Sequence, residues 1–200
     1  MEFRQIQYFL SIVDTGSFSA AADELFISQS SLSKVIIALD EHRFDLVFTR
    51  SNYLNHEQYA SLEICKDKLL VVVAKNNRHA DRSSISLKEL SDDNFIVFDK
   101  VTGLYKLVMD ECGKAGFEPT IFFSSHRKVS VFGLVGTNIG LALMPVKIYD
   151  YYGHQDVIAI PLDEHIECNI VLVHLKKRKL PQAANTFIDF IGKMTASDQA

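Results

Sequence analysis

The chain has 200 residues, 48% of them hydrophobic and 23% charged, with a mean hydropathy near zero and a formal net charge of -4. This composition predicts a soluble globular protein with one or two hydrophobic cores, and it excludes an intrinsically disordered chain. No apolar run approaches the roughly 18 residues that span a bilayer, and Glu2 and Asp14 stand where a signal peptide is basic. We therefore expect a cytoplasmic protein with no membrane contact.

The three cysteines, Cys65, Cys112 and Cys168, are odd in number and widely spaced. This pattern fits neither a disulfide framework nor a zinc module, so buried thiols are expected. The sequence contains no phosphate-cradling glycine loop, metal-ligand cluster or catalytic triad in a known order. We therefore predict no cofactor, no metal and no enzymatic activity.

Three short helices are predicted at the start of the chain. Apolar residues recur at helical spacing over residues 3–14, and Gly16 follows where helices commonly end. Ser19 can cap a second helix with small residues at 20–22, which allow another helix to approach closely, and Ser28 can cap a third. This is the order of a helix-turn-helix.

The third helix carries polar residues on its early turns, where the reading helix of such a motif enters the major groove. Gln29 can pair with an adenine, and Lys34 can contact a guanine or a phosphate. The serines can donate to phosphate oxygens. The candidate DNA-binding residues are Ser28, Gln29, Ser30, Ser31, Ser33 and Lys34. The alternative is an amphipathic helix pair with a solvated polar face.

Residues 3–41, FRQIQYFLSIVDTGSFSAAADELFISQSSLSKVIIALDE, resemble the amino terminus of the LysR-type transcriptional regulators. The resemblance includes the Gly16-Ser17-Phe18 corner, the Ala21-Ala22 pair and the Ser28-Gln29 start of the third helix. It implies that residues 18–37 contact double-stranded DNA. It also implies a carboxyl-terminal half that binds a small-molecule effector.

The resemblance changes after residue 41. Phe44 stands where the family has a glycine before its wing and long linker helix, although LVFTR at 46–50 can still be aligned with the wing. We favour a second alignment, in which RFDLVFTRSNY and ICKDKLLVVVAKNNRHA resemble the third regulatory strand and the following hinge strand. On that alignment the wing, the linker helix and the first two βα units are absent, and the junction lies near residues 40–42.

Residues 1–41 contain two basic residues, Arg4 and Lys34, against six acidic ones. Phosphate neutralisation supplies much of the affinity of DNA-binding proteins, so this segment alone predicts weak binding as a monomer. Loss of the linker helix would also remove the gain from two joined reading heads. A basic run at residues 176–179 can contact DNA, but a solvated turn is the simpler interpretation.

The rest of the chain is predicted as α/β, because apolar strand patterns alternate with helical ones around a parallel-centred sheet. The resemblance implies a two-lobed fold like the type 2 periplasmic binding proteins. The domains are then an all-α helix-turn-helix at 1–41 and an incomplete effector-binding domain at 42–200. Its first lobe comprises 42–80 and 164–194, and its second lobe 84–163. The first lobe is expected to lack central strands, which exposes sheet edges and favours association.

Predicted strand ends in the second lobe carry the candidate effector contacts. A helix that begins after a strand offers backbone N–H groups to an anion, and ligands of such sheets bind beyond the carboxyl ends of the strands. The candidates are Thr102, Gly103, Ser124, Ser125, His126, Met144 and Pro145. Ordinary capping and loop chemistry is the alternative interpretation of each.

The sequence thus predicts a shortened LysR-type regulator that binds double-stranded DNA under control of an anionic small molecule, with homo-oligomerisation as a further expectation. The competing hypothesis is a ligand-binding or non-functional remnant that no longer binds DNA productively.

Overall fold

Eight strands, four α-helices and two short 3-10 helices form in the part of the chain that the computed structural model describes, residues 44–153 and 155–197. The strands are β1 Val47–Arg50, β2 Tyr59–Cys65, β3 Leu69–Ala74, β4 Asn94–Phe98, β5 Thr120–Ser125, β6 Ala142–Pro145, β7 Val157–Pro161 and β8 Ile170–Leu175. The α-helices are α1 Gly103–Lys114, α2 Lys128–Gly136, α3 Val146–Tyr152 and α4 Gln182–Ser197, and the 3-10 helices are Ser51–Tyr53 and Leu87–Leu90.

These elements divide into two compact units. The described residues of the first, here the large unit, lie within 68–166, and those of the second, the small unit, within 44–67 and 167–197. Among the described helices, none combines the length and apolarity needed to cross a bilayer. The predicted α/β character is confirmed for this part of the chain.

The core of the large unit is built on β3, whose six residues are all buried. β3 lies between β6 and β7 and runs antiparallel to both. Beside them β4 pairs in parallel with β5, and a parallel bridge joins Phe95 to Leu141, the residue before β6. Two hydrogen bonds fix that bridge, from Ile96 N to Leu141 O at 2.7 Å and from Leu141 N to Asn94 O at 2.9 Å. β4 therefore lies between β5 and the start of β6.

The central strand β3 differs from the expected parallel centre. Residues 42–80 are predicted to share one lobe, whereas the ladders of β3 join this strand to the large unit. The partners of β3 in both ladders lie at least seventy residues further along the chain. Long-range hydrogen bonds therefore set its antiparallel direction, and the local apolar pattern carries no information about it.

The small unit is a three-stranded sheet in the order β1-β8-β2, with both pairings antiparallel. Its buried cluster joins Val47, Tyr59, Val171 and Val173, with Leu54 and Leu175 packed against them. β2 is not predicted from the sequence, because most of its residues are only half-buried and its apolar pattern is correspondingly weak.

A buried ion pair ties the strands of the small unit together. Arg50 and Asp67 are 7% and 6% exposed, and Arg50 Nη1 donates to Asp67 Oδ2 at 3.1 Å and to the carbonyl oxygen of Cys168 at 2.5 Å. Asp67 N donates to Asn169 Oδ1 at 2.9 Å. Because a buried charge is costly without its partner, these contacts must be kept together.

Replacing Arg50 by alanine leaves the Asp67 carboxylate buried without its cation. We expect Arg50→Ala to lower the free energy of unfolding by about 3–5 kcal/mol, measured by urea denaturation. Arg82→Ala is the control, because it removes a cation from an exposed ion pair with Glu89, and it should cost about 1 kcal/mol or less. Equal losses in the two variants would contradict the structural role of the Arg50 pair.

The approach of β4 to Leu141 depends on Gly140. A Cβ added there would lie 2.8 Å from the carbonyl oxygen of Asn94 and 3.2 Å from Ile96 Cγ1, whereas a Cβ added at Gly113 meets nothing within 4 Å. We expect Gly140→Ala to destabilise the protein by about 1–3 kcal/mol through overpacking. Gly113→Ala, in α1, should leave stability unchanged or raise it by up to about 1 kcal/mol. Thermal denaturation of both variants measures these effects. A Gly140→Ala variant as stable as the parent would contradict the close approach of residue 140 to β4.

Candidate functional site

Three strands of the large unit end at the same edge of the sheet. β4 and β5 are parallel with Phe98 opposite Ser125, and Leu141 leads into β6 from a parallel bridge to Phe95. Each strand is followed by a helix: α1 after β4, α2 after β5 and α3 after β6. The structure therefore brings the sequence-predicted residues to this edge: Thr102, Gly103, Ser124, Ser125, His126, Met144 and Pro145.

Thr102 is the N-cap of α1. Its backbone is extended, with φ -92° and ψ 143°, and its Oγ1 accepts a hydrogen bond from Tyr105 N at 3.2 Å. The same hydroxyl donates to Asp99 O at 2.7 Å. Thr102 therefore acts as a helix cap, as the alternative interpretation of this residue expects. The cap holds Thr102 and the first helical residue, Gly103, at the strand edge in a fixed conformation.

The loop after β5 lies close to the loop after β4. His126 Nδ1 is 3.6 Å from Asp99 Oδ2, so a protonated imidazole forms an ion pair with that carboxylate. Ser125 Oγ accepts a hydrogen bond from Arg127 N at 3.1 Å, which fixes the entry into α2. Ser124 is exposed. This loop thus presents hydroxyl and imidazole groups beside the start of α1.

Met144 and Pro145 reach the edge without presenting a polar group. Met144 is fully buried and lies opposite Leu70 in the β3–β6 ladder, and Pro145 is buried at the N-cap of α3. Their side chains therefore shape the sheet beneath the edge, and the exposed polar atoms come from the other two loops.

Lys128 lies near this edge and is not predicted from the sequence as a site residue. It is the first residue of α2, is only 1% exposed, and its Nζ lies 5.8 Å from the centroid of the Tyr152 ring. A cation is unfavourable at a helix amino terminus, and the aromatic face offsets part of that cost. No local pattern indicates its burial, because Lys128 follows His126 and Arg127 in what resembles a solvated basic run. A positive charge thus lies buried beside the candidate edge.

Two other sets of residues named from the sequence are not part of this edge. The candidate DNA-binding residues at 28–34 lie outside the described residues. In the basic run, Lys176 Nζ donates to His56 O at 2.6 Å and Arg178 Nη2 lies 2.8 Å from Asp45 Oδ1, whereas Lys177 and Lys179 are exposed. Within residues 44–153 and 155–197, no three His, Cys, Asp or Glu side chains are grouped so as to hold a metal.

Two of the three thiols are buried, as predicted. Burial first, and to a smaller extent a nearby acidic group, Glu111 and Asp67 respectively, raise the pKa of Cys112 and of Cys168 to about 12. Arg50 acts in the opposite direction on Cys168. Cys65 is half-buried. Since the thiolate is the reactive form, Cys112 and Cys168 are chemically inert near neutral pH.

Alkylation of the folded protein with iodoacetamide at pH 8 should therefore modify Cys65 and spare the two buried thiols. Mass spectrometry of tryptic peptides measures the result. In 6 M guanidinium, the control condition, all three cysteines should react. Rapid labelling of Cys112 or Cys168 in the folded protein would contradict the burial described here.

Comparison with known proteins assigns this fold to the effector-binding domains of bacterial transcriptional regulators. The family model of the LysR substrate binding domain matches residues 24–196. The chain belongs to the LysR family, which confirms the resemblance seen in the sequence.

The similar proteins of known sequence are transcriptional regulators. YwbI of Bacillus subtilis, described as an uncharacterized HTH-type regulator, is 32% identical over 136 residues, which cover 68% of this chain and 45% of YwbI. GltC of the same organism, a transcriptional dual regulator, is 23% identical over 169 residues, which cover 84% of this chain and 56% of GltC. The chain spans about half the length of these relatives. Since they are regulators, they support the prediction that the chain is not an enzyme.

Solved structures confirm the fold of the effector-binding part. The effector-binding domain of QuiR in complex with shikimate superposes with a TM-score of 0.69 at 26% identity, covering 83% of this chain and 78% of that domain. The regulatory domain of Synechocystis PCC6803 CcmR in complex with 2-PG gives a TM-score of 0.71 at 14% identity, covering 84% and 80%. The periplasmic-binding-protein-like type 2 fold is therefore that of this chain.

Proposed function

We propose that this protein is a transcriptional regulator of the LysR type that binds double-stranded DNA through a helix-turn-helix and is controlled by a small anionic effector. The observation that carries the proposal is the meeting of three strand ends at one edge of the large unit, within a fold of the effector-binding class. The proposed site of action is the cytoplasm.

The chemistry of the edge favours an anion. The amino terminus of α1 offers partial positive charge beside Thr102 and Gly103, and a protonated His126 neutralises the Asp99 carboxylate that lies 3.6 Å away. The buried Lys128 lies at the start of the neighbouring helix. The effector-binding domain of QuiR is known in complex with shikimate, a carboxylic acid. We propose an effector that places a carboxylate or phosphate near residues 102–103 and polar groups toward Ser124, Ser125 and His126, above Met144 and Pro145.

The proposed domain organisation follows the second alignment of the sequence. Residues 1–41 form the helix-turn-helix, and residues 42–200 form an effector-binding domain without its first βα units. The three-stranded, wholly antiparallel sheet of the small unit supports this proposal, because the described residues of that unit contain no parallel βα repeat.

Variants of the reading helix test DNA recognition, with fluorescence anisotropy as the measurement. Gln29→Ala should reduce the preference for the duplex upstream of the protein's own gene over a scrambled duplex by about tenfold, since a bidentate contact contributes roughly 1–3 kcal/mol of discrimination. Lys34→Ala should instead lower the slope of log affinity against log salt by about 1. The matched controls Gln182→Ala and Lys88→Ala should behave as the parent. Equal binding by all five proteins would remove residues 28–34 from the DNA interface.

The competing function is that of a remnant that binds ligand but not DNA. The composition of residues 1–41 favours it, because this segment contains two basic residues and six acidic ones. The chain is such a remnant if repulsion between these acidic groups and the DNA phosphates exceeds the favourable contacts of Gln29 and Lys34. Weak binding that is equal for both duplexes and abolished by moderate salt is the result expected of the remnant.

Effector binding is tested at Thr102, with small carboxylates, shikimate first, as the probes. For a compound that raises the melting temperature of the parent protein, Thr102→Val should give a smaller rise, because it loses the hydroxyl that holds the helix start in place. Thr102→Ser keeps that hydroxyl and should respond as the parent does. The same rise in Thr102→Val as in the parent would place the ligand elsewhere.

A further inference from the structure

The three-stranded sheet of the small unit has two apolar faces, and a described helix covers one of them. α4 lies on the face that carries Phe48 and Leu62. The rings of Phe48 and Phe187 lie 6.5 Å apart at an interplanar angle of 81°, and a Cβ added at Gly192 would lie 3.9 Å from Leu62 Cδ2. Because successive side chains of a strand alternate between its faces, the neighbours of Phe48 and Leu62 belong to the other face.

The face opposite α4, here called the valine face, is buried along β1 and β8. It carries four residues that are each no more than 4% exposed: Val47, Thr49, Val171 and Val173. Within residues 44–153 and 155–197, the partly buried hydrophobic residues packed against its valines are Leu54 and Leu175. A sheet normally buries such a face against a further layer of structure, and α4 lies on the other side. The valine face therefore requires an additional cover.

The chain before β1 ends close to this sheet. Arg178 Nη1 donates to the carbonyl oxygen of Phe44 at 2.9 Å, which anchors the entry to β1. Glu41 precedes Phe44 by three residues, so it lies within about 11 Å of that anchor. The five residues 42–46 also match the short connections by which a helix commonly passes into a strand. Residues 30–41 are therefore within reach of the valine face.

The apolar pattern of that segment has the size of this face. Leu32, Ile36 and Leu39 follow one another at i, i+4 and i+7, which places them on one side of the predicted third helix. From Leu32 to Leu39 such a helix rises about 10 Å, and the four residues of β1 extend over about 10 Å. Three large aliphatic side chains thus match the strand that they would cover.

Charges at the end of the segment match those beside the entry to β1. Asp40 and Glu41 stand at the end of the segment. Arg178, which anchors the chain there, stands between two exposed lysines, Lys177 and Lys179. A segment that folds back on the valine face brings the acidic pair beside these lysines, and the opposite charges attract each other. The basic run then has a partner within the same chain.

We propose that residues 30–41 fold back as a helix whose apolar side covers the valine face, with Asp40 and Glu41 beside the two exposed lysines. A helix-turn-helix uses the same apolar side, because its third helix packs on the first two. The two arrangements therefore exclude each other, and the docked arrangement withholds the third helix from DNA. The docking does not depend on the function proposed above, whereas its effect on DNA binding rests on that function.

Methyl NMR of the full 200-residue chain, labelled at Ala, Ile, Leu and Val, tests the docking. Nuclear Overhauser cross-peaks should join Leu32, Ile36 and Leu39 to the valines of the valine face. The methyl group of Ala38 is the control within the same segment, because it lies on another side of the predicted helix and should show no such cross-peaks. The absence of cross-peaks from the three aliphatic residues to these valines would overturn the proposal.

Charge reversal tests the effect on DNA. The double variant Lys177→Glu and Lys179→Glu repels the acidic pair, so it should weaken these cross-peaks and raise the affinity for the upstream duplex at least threefold in fluorescence anisotropy. A rise is diagnostic, because the loss of two cations by itself weakens DNA binding. The double variant Lys75→Glu and Lys88→Glu makes the same charge change at exposed positions of the large unit and should not raise the affinity.

The two measurements separate the docking from the function proposed for the chain. Weaker cross-peaks without a rise in affinity, in a parent protein that binds the duplex, would overturn the withholding of the third helix from DNA. Unchanged cross-peaks in the double variant at residues 177 and 179 would overturn the placement of the acidic pair. If no protein in the set binds DNA, the DNA-binding function fails, while the cross-peaks of the parent still decide the docking.

Discussion

β4 runs parallel to β5 on one side and to the chain at Leu141 on the other. This arrangement determines where the polar groups of the large unit meet. Because the strands run the same way, Thr102, Ser125 and Pro145 arrive at one edge although more than forty residues of sequence separate the first from the last. This arrangement requires a glycine at position 140, because the backbone there approaches the carbonyl oxygen of Asn94 too closely for a side chain. The candidate effector chemistry is therefore a consequence of strand direction and of one close backbone contact.

Local patterns were sufficient for much of this fold. The continuous apolar run of β3, the cap at Thr102 and the proline before α3 are each visible in a few neighbouring residues, and the structure has elements at these positions. The direction of β3 was not visible, because hydrogen bonds to distant residues decide it. The burial of Lys128 depends likewise on an aromatic ring twenty-four residues further along the chain. The seven site residues were named from capping and strand-end chemistry, and their roles as ligand contacts remain a proposal.

Family membership and local chemistry support different parts of the account. The family match establishes the effector-binding fold and the class of regulator. The nature of the effector is argued from this chain's own groups: a capped helix start, an imidazole near Asp99, and a buried lysine. In the small unit the buried Arg50–Asp67 pair holds strands together without a ligand role. The buried charges of the Arg50–Asp67 pair thus stabilise the small unit. The buried charge of Lys128 is proposed to favour an anion in the large unit.

The central claim is that the shared edge of β4, β5 and β6 binds a small anion. It is tested most directly by two-dimensional NMR of the isotopically labelled chain with assigned amides, titrated with shikimate and, separately, with inorganic phosphate. The account predicts saturable shifts in the large unit that are largest at Thr102, Gly103, Ser124, Ser125 and His126. Saturable shifts confined to other residues, or the absence of saturable shifts with either anion, would contradict it.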